Sequence, residues 1–317
     1  MKFAIVGAGA TGGFLGAHLA RAGVEVTLIA RGGHLAAMRE RGVTVRSGGE
    51  EFTAHPECTD DLAAIGGAEV VFLTLKTHSL PALAPAIGAA LAPGACVVGA
   101  QNGIPWWYFP DRHLESVDPG GVIASSIPYP AVLGCIVYPA TRIVEPGLIE
   151  HVEGNRFTLG EPDGSRSERV QAIAAVLIGA GLKAPVQPRI RNEIWLKLLG
   201  NATLNPVSAL TRATLEQIIT SAATHDLVRT LMEEVDAVAR ALGIEVPLSV
   251  DKRMEGAAAT GGHKTSMLQD LEAGRPLEVE ALLGAVVELA DGAGVAVPSL
   301  RTVYGLAKLL DEVNRGR

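Results

Sequence analysis

The first hydrophobic run, Phe3–Val6, is four residues long and stops at Gly7. A short apolar run bounded by glycine has the pattern of a strand buried on both faces. Residues 13–22 then place apolar positions at helical spacing, Gly23 ends them, and Val24–Ala30 is a second apolar run. The runs AEVVFLTLKTHSL and GACVVGAQNGI predict two further strands, one ending near Lys76 and the other at Gln101, Asn102 and Gly103. Across TRIVEPGLIEHVEGNRFTLGEPDGS the apolar and polar residues alternate around Pro-Gly and Asp-Gly turns, which predicts antiparallel strands that extend or cap the sheet. SERVQAIAAVLIGAGLKAPV predicts a helix that stops at Gly179–Gly181.

The pattern changes at PVQPRIRNE, where two prolines mark a boundary between parts 1–188 and 189–317. Nearly everything beyond it has helical period. The predicted segments are 191–204, 206–210, 214–242, about 247–260, 264–273, 276–293 and 298–315. The reading is an α/β first part followed by an all-helical second part.

The first turn has a chemistry of its own. Gly7-x-Gly9-x-x-Gly12 lies between a predicted strand and a predicted helix. In that context the glycines have separate tasks: Gly7 makes the tight turn, Gly9 admits a pyrophosphate close to the backbone, and Gly12 lets helix and strand pack. The helix N-terminus adds free N–H groups for a phosphate. The first part is therefore expected to be a Rossmann-type dinucleotide-binding domain, against the alternative of a tight turn that binds nothing. A site for NAD usually carries an acid at the end of the second strand, to bond the ribose 2′-hydroxyl. Here that strand ends LIARGG, with Arg31 at the position. A guanidinium suits a 2′-phosphate, so NADP(H) is the expected cofactor. The alternative for Arg31 is a solvated surface residue. Ligands of doubly wound sheets bind beyond the carboxyl ends of the strands, which is where Lys76 and Asn102 fall. Asn102 also suits an ordinary turn before glycine.

In the helical part, NEIWLKLLGNATLNP carries a polar residue every four positions: Glu193, Lys197, Asn201 and Asn205. Residues spaced by four drift about 40° around a helix, so on a continuous helix they form one row. Dry burial of such groups is costly unless each is paired, so the row suits a wet cleft. The alternative pairs Glu193 with Lys197 across one turn and leaves the asparagines in solvent. In HKTSMLQDLEAGRPLEVEALLG, Ser266 and Asp270 share a helix face, and Glu278 is placed in the first turn of the next helix. An acid there also has the plain explanation of complementing the helix dipole.

Composition and charge narrow the classes. Of 317 residues, 48% are hydrophobic and 19% charged, which suits two domains or one large one with ample apolar surface for a core. A net charge of −7 argues against nucleic acid as a partner. Cys58, Cys96 and Cys135 are scattered with no C-x-x-C pair, so neither a zinc site nor a disulfide scaffold is expected. The N-terminus lacks a signal-peptide pattern and no apolar stretch is long enough for a bilayer, so a cytoplasmic protein without a membrane partner is expected. The loop IPWWYFP concentrates aromatics in a chain that is 4% aromatic. It can wall a pocket, contact a second subunit in a homodimer, or simply pack on the sheet.

Taken together, GAGATG, Arg31, LTLKT, QNG, EIWLKLLGNATLNP, TSMLQD and RPLEVE resemble the ketopantoate reductase (2-dehydropantoate 2-reductase) family in order and spacing over essentially the whole chain. The resemblance implies NADPH-dependent reduction of a small-molecule 2-keto acid, ketopantoate to pantoate, in pantothenate biosynthesis. It implies Lys197 as the catalytic lysine and Glu278 as the glutamate beside the substrate. Asn102, Asn201, Asn205 and Ser266 match substrate contacts, while Gly7, Gly9, Ala10, Thr11, Gly12, Arg31, Lys76 and again Asn102 match the cofactor side. Three features depart from the family pattern: His263 in place of an asparagine, Ser79 in place of a glutamine, and the longer aromatic loop Trp106–Phe109. They leave room for a reductase of a different 2-keto acid or an imine. A silent dinucleotide-binding sensor is the remaining alternative.

Overall fold

The structure, a computed structural model, describes residues 1–316. The chain divides into two compact units. One comprises Met1–Gln101, Phe109–Asp111 and Gly120–Ile190; the other comprises Asn102–Tyr108, Arg112–Pro119 and residues from Arg191 on.

The strands of the first unit are β1 (Phe3–Val6), β2 (Val26–Ile29), β3 (Val43–Ser47), β4 (Glu50–Ala54), β5 (Glu57–Thr59), β6 (Val70–Leu73), β7 (Cys96–Gly99), β8 (Val132–Val137), β9 (Ala140–Glu145), β10 (Leu148–Glu153) and β11 (Phe157–Gly160). Seven of them form one sheet in the order β11-β8-β7-β6-β1-β2-β5. All neighbours are parallel except β11 against β8. Every residue of β1, β2, β6 and β7 is buried, which is why these strands read as unbroken apolar runs rather than as alternating ones. In register, Phe3 faces both Val26 and Val70, so β1, β2 and β6 end together. Their following residues, Gly7, Ala30 and Thr74, therefore share one edge of the sheet.

The alternating stretch after residue 140 forms antiparallel strands, as expected, and divides between two sheets. Only β11 extends the main sheet. The hairpin of β9 and β10 joins β3 and β4 in a second sheet, ordered β4-β3-β10-β9. The hairpin β3–β4 turns through Gly48 and Gly49, with φ of +57° and +88°, a pair that only glycine adopts easily. It offers a free strand, and β10 pairs with it in parallel.

In the second unit, helix Ala222–Ala241 buries Val228, Leu231, Met232, Val235, Val238 and Ala239, a spacing that covers one face. Trp195, Leu198, Leu283, Leu289, Leu300 and Val303 complete a core that is close to fully buried.

Three helical expectations change. The polar row is not on one helix: Ile190–Asn201 ends, and a separate helix Leu204–Thr211 carries Asn205. Pro206 explains the break, because its ring clashes with the carbonyl four residues back, here Ala202. The span 214–242 is two helices, Leu215–Thr220 and Ala222–Ala241, separated by Ser221 in an extended conformation (ψ 118°). The β-branched run Ile218, Ile219 and Thr220 precedes that break and weakens the helix there. Glu278 is not in a first helical turn. It stands just before the helical run, whose first full turn is a π turn, Glu280–Gly284.

Among the described residues no helix is long and apolar enough to cross a membrane, and no cluster of His, Cys, Asp and Glu could hold a metal ion.

Candidate active site

In the first unit the glycine turn is built as the spacing required at two of its three positions. Gly7 has φ +99°, and a Cβ there would come 2.8 Å from the Leu75 backbone nitrogen. A Cβ on Gly12 would come 2.5 Å from Thr74 Oγ1 and 2.6 Å from the Gly7 carbonyl oxygen. Thr74 fixes this geometry by donating to the Gly7 carbonyl at 2.9 Å. Gly9 is different: a Cβ would meet only the Gly7 carbonyl oxygen, at 3.9 Å. The protein itself leaves that side open, which fits a group that must lie against the backbone. Gly9 caps helix Ala10–Arg21 without a side-chain bond, and the first turn, with Ala10 and Thr11, contains no acid. The helix therefore supplies no anion of its own to these N–H groups. The residues present fit the pyrophosphate of a dinucleotide.

Arg31 caps helix Gly32–Arg41 from an exposed position two residues beyond β2. Its guanidinium forms no ion pair among the described residues. Lys76 is half-buried, three residues beyond β6, at the cap of a short 3₁₀ turn Thr77–Ser79. Gln101 Nε2 donates to the Leu73 carbonyl at 2.6 Å and so ties the end of β7 to the end of β6.

The second unit assembles a site from three segments. Lys197, half-buried on helix Ile190–Asn201, donates from Nζ to Asn102 Oδ1 at 2.7 Å. Asn102 Nδ2 donates to Glu278 Oε2 at 3.3 Å. One neutral amide thus accepts from the cation and donates to the anion. Glu193 forms no bond to Lys197, so the surface-pair reading of the polar row does not hold.

Backbone geometry explains how residues so far apart in sequence meet. The Ile104 N–H donates to the Ala281 carbonyl at 3.0 Å, seating the loop after Asn102 on the π turn. Gly103 has φ +84°, and a Cβ there would come 2.2 Å from that same carbonyl oxygen, so the loop can lie so close only with glycine. The π turn is held from outside by Tyr304, whose hydroxyl donates to Glu280 Oε2 at 2.8 Å. The Leu277 N–H donates to Asp311 at 2.8 Å, fixing the residue before Glu278.

The aromatic loop turns out to be packing. Trp106, Trp107 and Tyr108 are 2–3% exposed. Tyr108 accepts on its hydroxyl from Trp195 Nε1 at 2.7 Å, and its carbonyl accepts from Arg191. Burial pushes the Tyr108 hydroxyl above its ordinary pKa. These bonds clamp the loop to the helix that carries Lys197.

Asn205 and Ser266 form a second pair, with Asn205 Nδ2 donating to Ser266 Oγ at 3.4 Å. Asn205 is buried at 6% exposure and Ser266 is exposed. Ser266 opens helix Ser266–Glu272, which Thr265 caps by accepting from the Leu268 N–H. Asn201 is half-buried one turn beyond Lys197, and His263 is exposed ahead of Ser266. Two groups were missed by sequence reasoning. Tyr304 and Glu280 could not be paired without knowing the π turn. Arg253 lies against Gly200 on the Lys197 helix, and only the glycine itself hinted that something close needed room.

The sequence model described as "Ketopantoate reductase PanE/ApbA" matches residues 3–164, and the one described as "Ketopantoate reductase PanE/ApbA C terminal" matches 189–311. The chain belongs to the ketopantoate reductase family. The 2-dehydropantoate 2-reductase of Mesorhizobium japonicum is 46% identical over 324 aligned positions, covering 100% of this chain and 99% of that one. The 2-dehydropantoate 2-reductase of Halobacterium salinarum is 30% identical, covering 98% of each. Among solved structures, the PanE/ApbA family ketopantoate reductase from Ralstonia eutropha superposes with a TM-score of 0.87 at 29% identity, covering 99% of this chain and 100% of that one. Membership of the ketopantoate reductase family covers both compact units, and so includes the glycine turn and the Lys197 helix alike.

Proposed function

We propose that the chain is an NADPH-dependent reductase of a 2-keto acid, with ketopantoate as substrate and pantoate as product, acting in the cytoplasm. In this reading residues 1–188 serve the dinucleotide and 189–317 the keto acid. The carrying observation is the bridge Lys197–Asn102–Glu278, one cation oriented by a neutral amide beside a carboxylate.

A nicotinamide dinucleotide, when bound, supplies the hydride. Gly7, Gly9, Ala10, Thr11 and Gly12 would hold its pyrophosphate, and Arg31 and Lys76 its ribose and 2′-phosphate side. As the keto carbon is reduced, negative charge develops on its oxygen. Lys197 stabilises that charge and donates the proton from Nζ. Asn102 aims the ammonium by accepting one of its three N–H groups. Glu278 accepts from Asn102 and stands beside the substrate, where a carboxylate can accept from a hydroxyl. Asn201, Asn205 and Ser266 present neutral donors to the substrate.

Turnover of a panel of 2-keto acids, followed by NADPH absorbance and repeated with NADH, tests this reading. Ketopantoate with NADPH should give the highest kcat/KM. No turnover of any 2-keto acid would overturn it. A second reading, reduction of a bulkier 2-keto acid, draws on His263, an exposed imidazole where some family members carry an asparagine. In that case the bulkier acid leads the same panel.

A further inference from the structure

The proposed reaction makes two electrostatic demands on the protein. The substrate arrives with a charged carboxylate, and its keto oxygen gains charge during the reaction. Lys197 answers the second demand. The groups carried over for the first, Asn201, Asn205 and Ser266, are all neutral.

The structure places another cation against the same helix. A Cβ built on Gly200 would lie 2.1 Å from Nη2, 2.7 Å from Cζ and 2.8 Å from Nε of Arg253. The guanidinium therefore fills the space that a side chain at 200 would occupy. Gly200 is three residues beyond Lys197 and one before Asn201 on helix Ile190–Asn201. Positions i and i+3 of a helix are surface neighbours, with Cβ atoms about 5–6 Å apart, so the place of a side chain at 200, which the guanidinium takes, adjoins that of Lys197. Arg253 reaches it from the first turn of a different helix, Val250–Ala259, and is half-buried there. Glycine weakens a helix interior, yet at position 200 an added Cβ would make the guanidinium shift.

We propose that Arg253 is the second cation of the substrate wall and binds the carboxylate of the 2-keto acid. A planar fork of N–H donors matches a carboxylate better than a hydroxyl or an amide does. With Arg253 on the carboxylate and Lys197 on the keto oxygen, the site takes a carbonyl compound with a free acid beside the carbonyl. This inference rests on the function proposed above.

Steady-state kinetics with ketopantoate and with its methyl ester, which keeps the keto group and lacks the charge, test it. For Arg253→Gln the KM for the acid should rise about 10–150-fold, the range for one lost charge-assisted hydrogen bond. The ester kinetics should not change, so selectivity for acid over ester should fall by the same factor. Arg253→Lys should recover part of it. Gly200→Ala displaces the guanidinium without removing its charge and should raise the KM for the acid in the same direction. It also carries the test should Arg253→Gln not fold. Unchanged selectivity, or equal losses on acid and ester together with a lower melting temperature, would overturn the proposal and leave Arg253 a packing clasp. If the wild type ignores ketopantoate but reduces another 2-keto acid, the substrate assignment fails. The acid and ester of that compound then decide the role of Arg253. No turnover of any 2-keto acid overturns both.

Discussion

Lys197 Nζ lies 2.7 Å from Asn102 Oδ1, and the rest of the proposed chemistry is arranged around that contact. An amide suits the position because it can accept from an ammonium and donate to the Glu278 carboxylate at once. Asn102→Asp keeps the size but removes the donor and adds an anion. The variant should fold normally and lose roughly 10–150-fold in kcat/KM, the equivalent of about 1.5–3 kcal/mol for a hydrogen bond to a charged group. Kinetics with a melting curve check this, and unchanged kinetics would show that the bridge does not orient the lysine.

The seating of Asn102 depends on Gly103. Gly103→Ala combines a positive φ with a Cβ 2.2 Å from a backbone oxygen, so the loop must move. It should lower stability by more than about 1 kcal/mol and reduce kcat as well. Gly274→Ala is the control, because its φ is also positive, at +64°, but nothing lies within 4 Å of the added carbon. That variant should lower the melting temperature less and leave kcat alone.

Arg31→Ala should weaken NADPH selectively, by about 1.5–3 kcal/mol, with little effect on NADH. Wild-type preference for NADPH should be at least about 10-fold in kcat/KM. Comparing the two cofactors on both proteins measures it directly, and equal use of NADH by the wild type would remove the 2′-phosphate from the account.

Stability should also depend on mild acid. Burial holds His18 and His34 below the ordinary histidine pKa. A depressed folded-state pKa means the unfolded chain binds more protons, so this contribution is present above about pH 6.5 and is lost as pH falls below it. Melting temperature should drop between neutrality and about pH 5, and His18→Gln should make the drop shallower. An identical profile for that variant would contradict the assignment to His18.

The parts of the molecule legible in the sequence are those fixed by local rules. Phe3–Val6, Val26–Ile29, Val70–Leu73 and Cys96–Gly99 stood out because both faces of these strands are buried and glycines or polar residues end them. The jobs of Gly7 and Gly12 followed from the turn alone. What could not be read depends on distant partners. The polar row broke because Pro206 outweighs helical period, although Asn205 still meets Ser266 from its new helix. The second sheet was hidden because β10 pairs with β3 across about a hundred residues, though Gly48–Gly49 did carry a hairpin signal. Nothing local could place Asn102 with Glu278, since their meeting depends on the Ile104 to Ala281 backbone bond. Likewise, Arg253 shows only as the empty side of Gly200.

If Lys197 is the proton donor, the loss shows first in kcat of Lys197→Ala. That kcat should fall roughly 10²–10⁴-fold, with cofactor affinity and melting temperature little changed. Lys197→Arg should rescue poorly, because a guanidinium stays protonated and has another shape. A kcat near that of the wild type would contradict the claim and remove Lys197 from the mechanism.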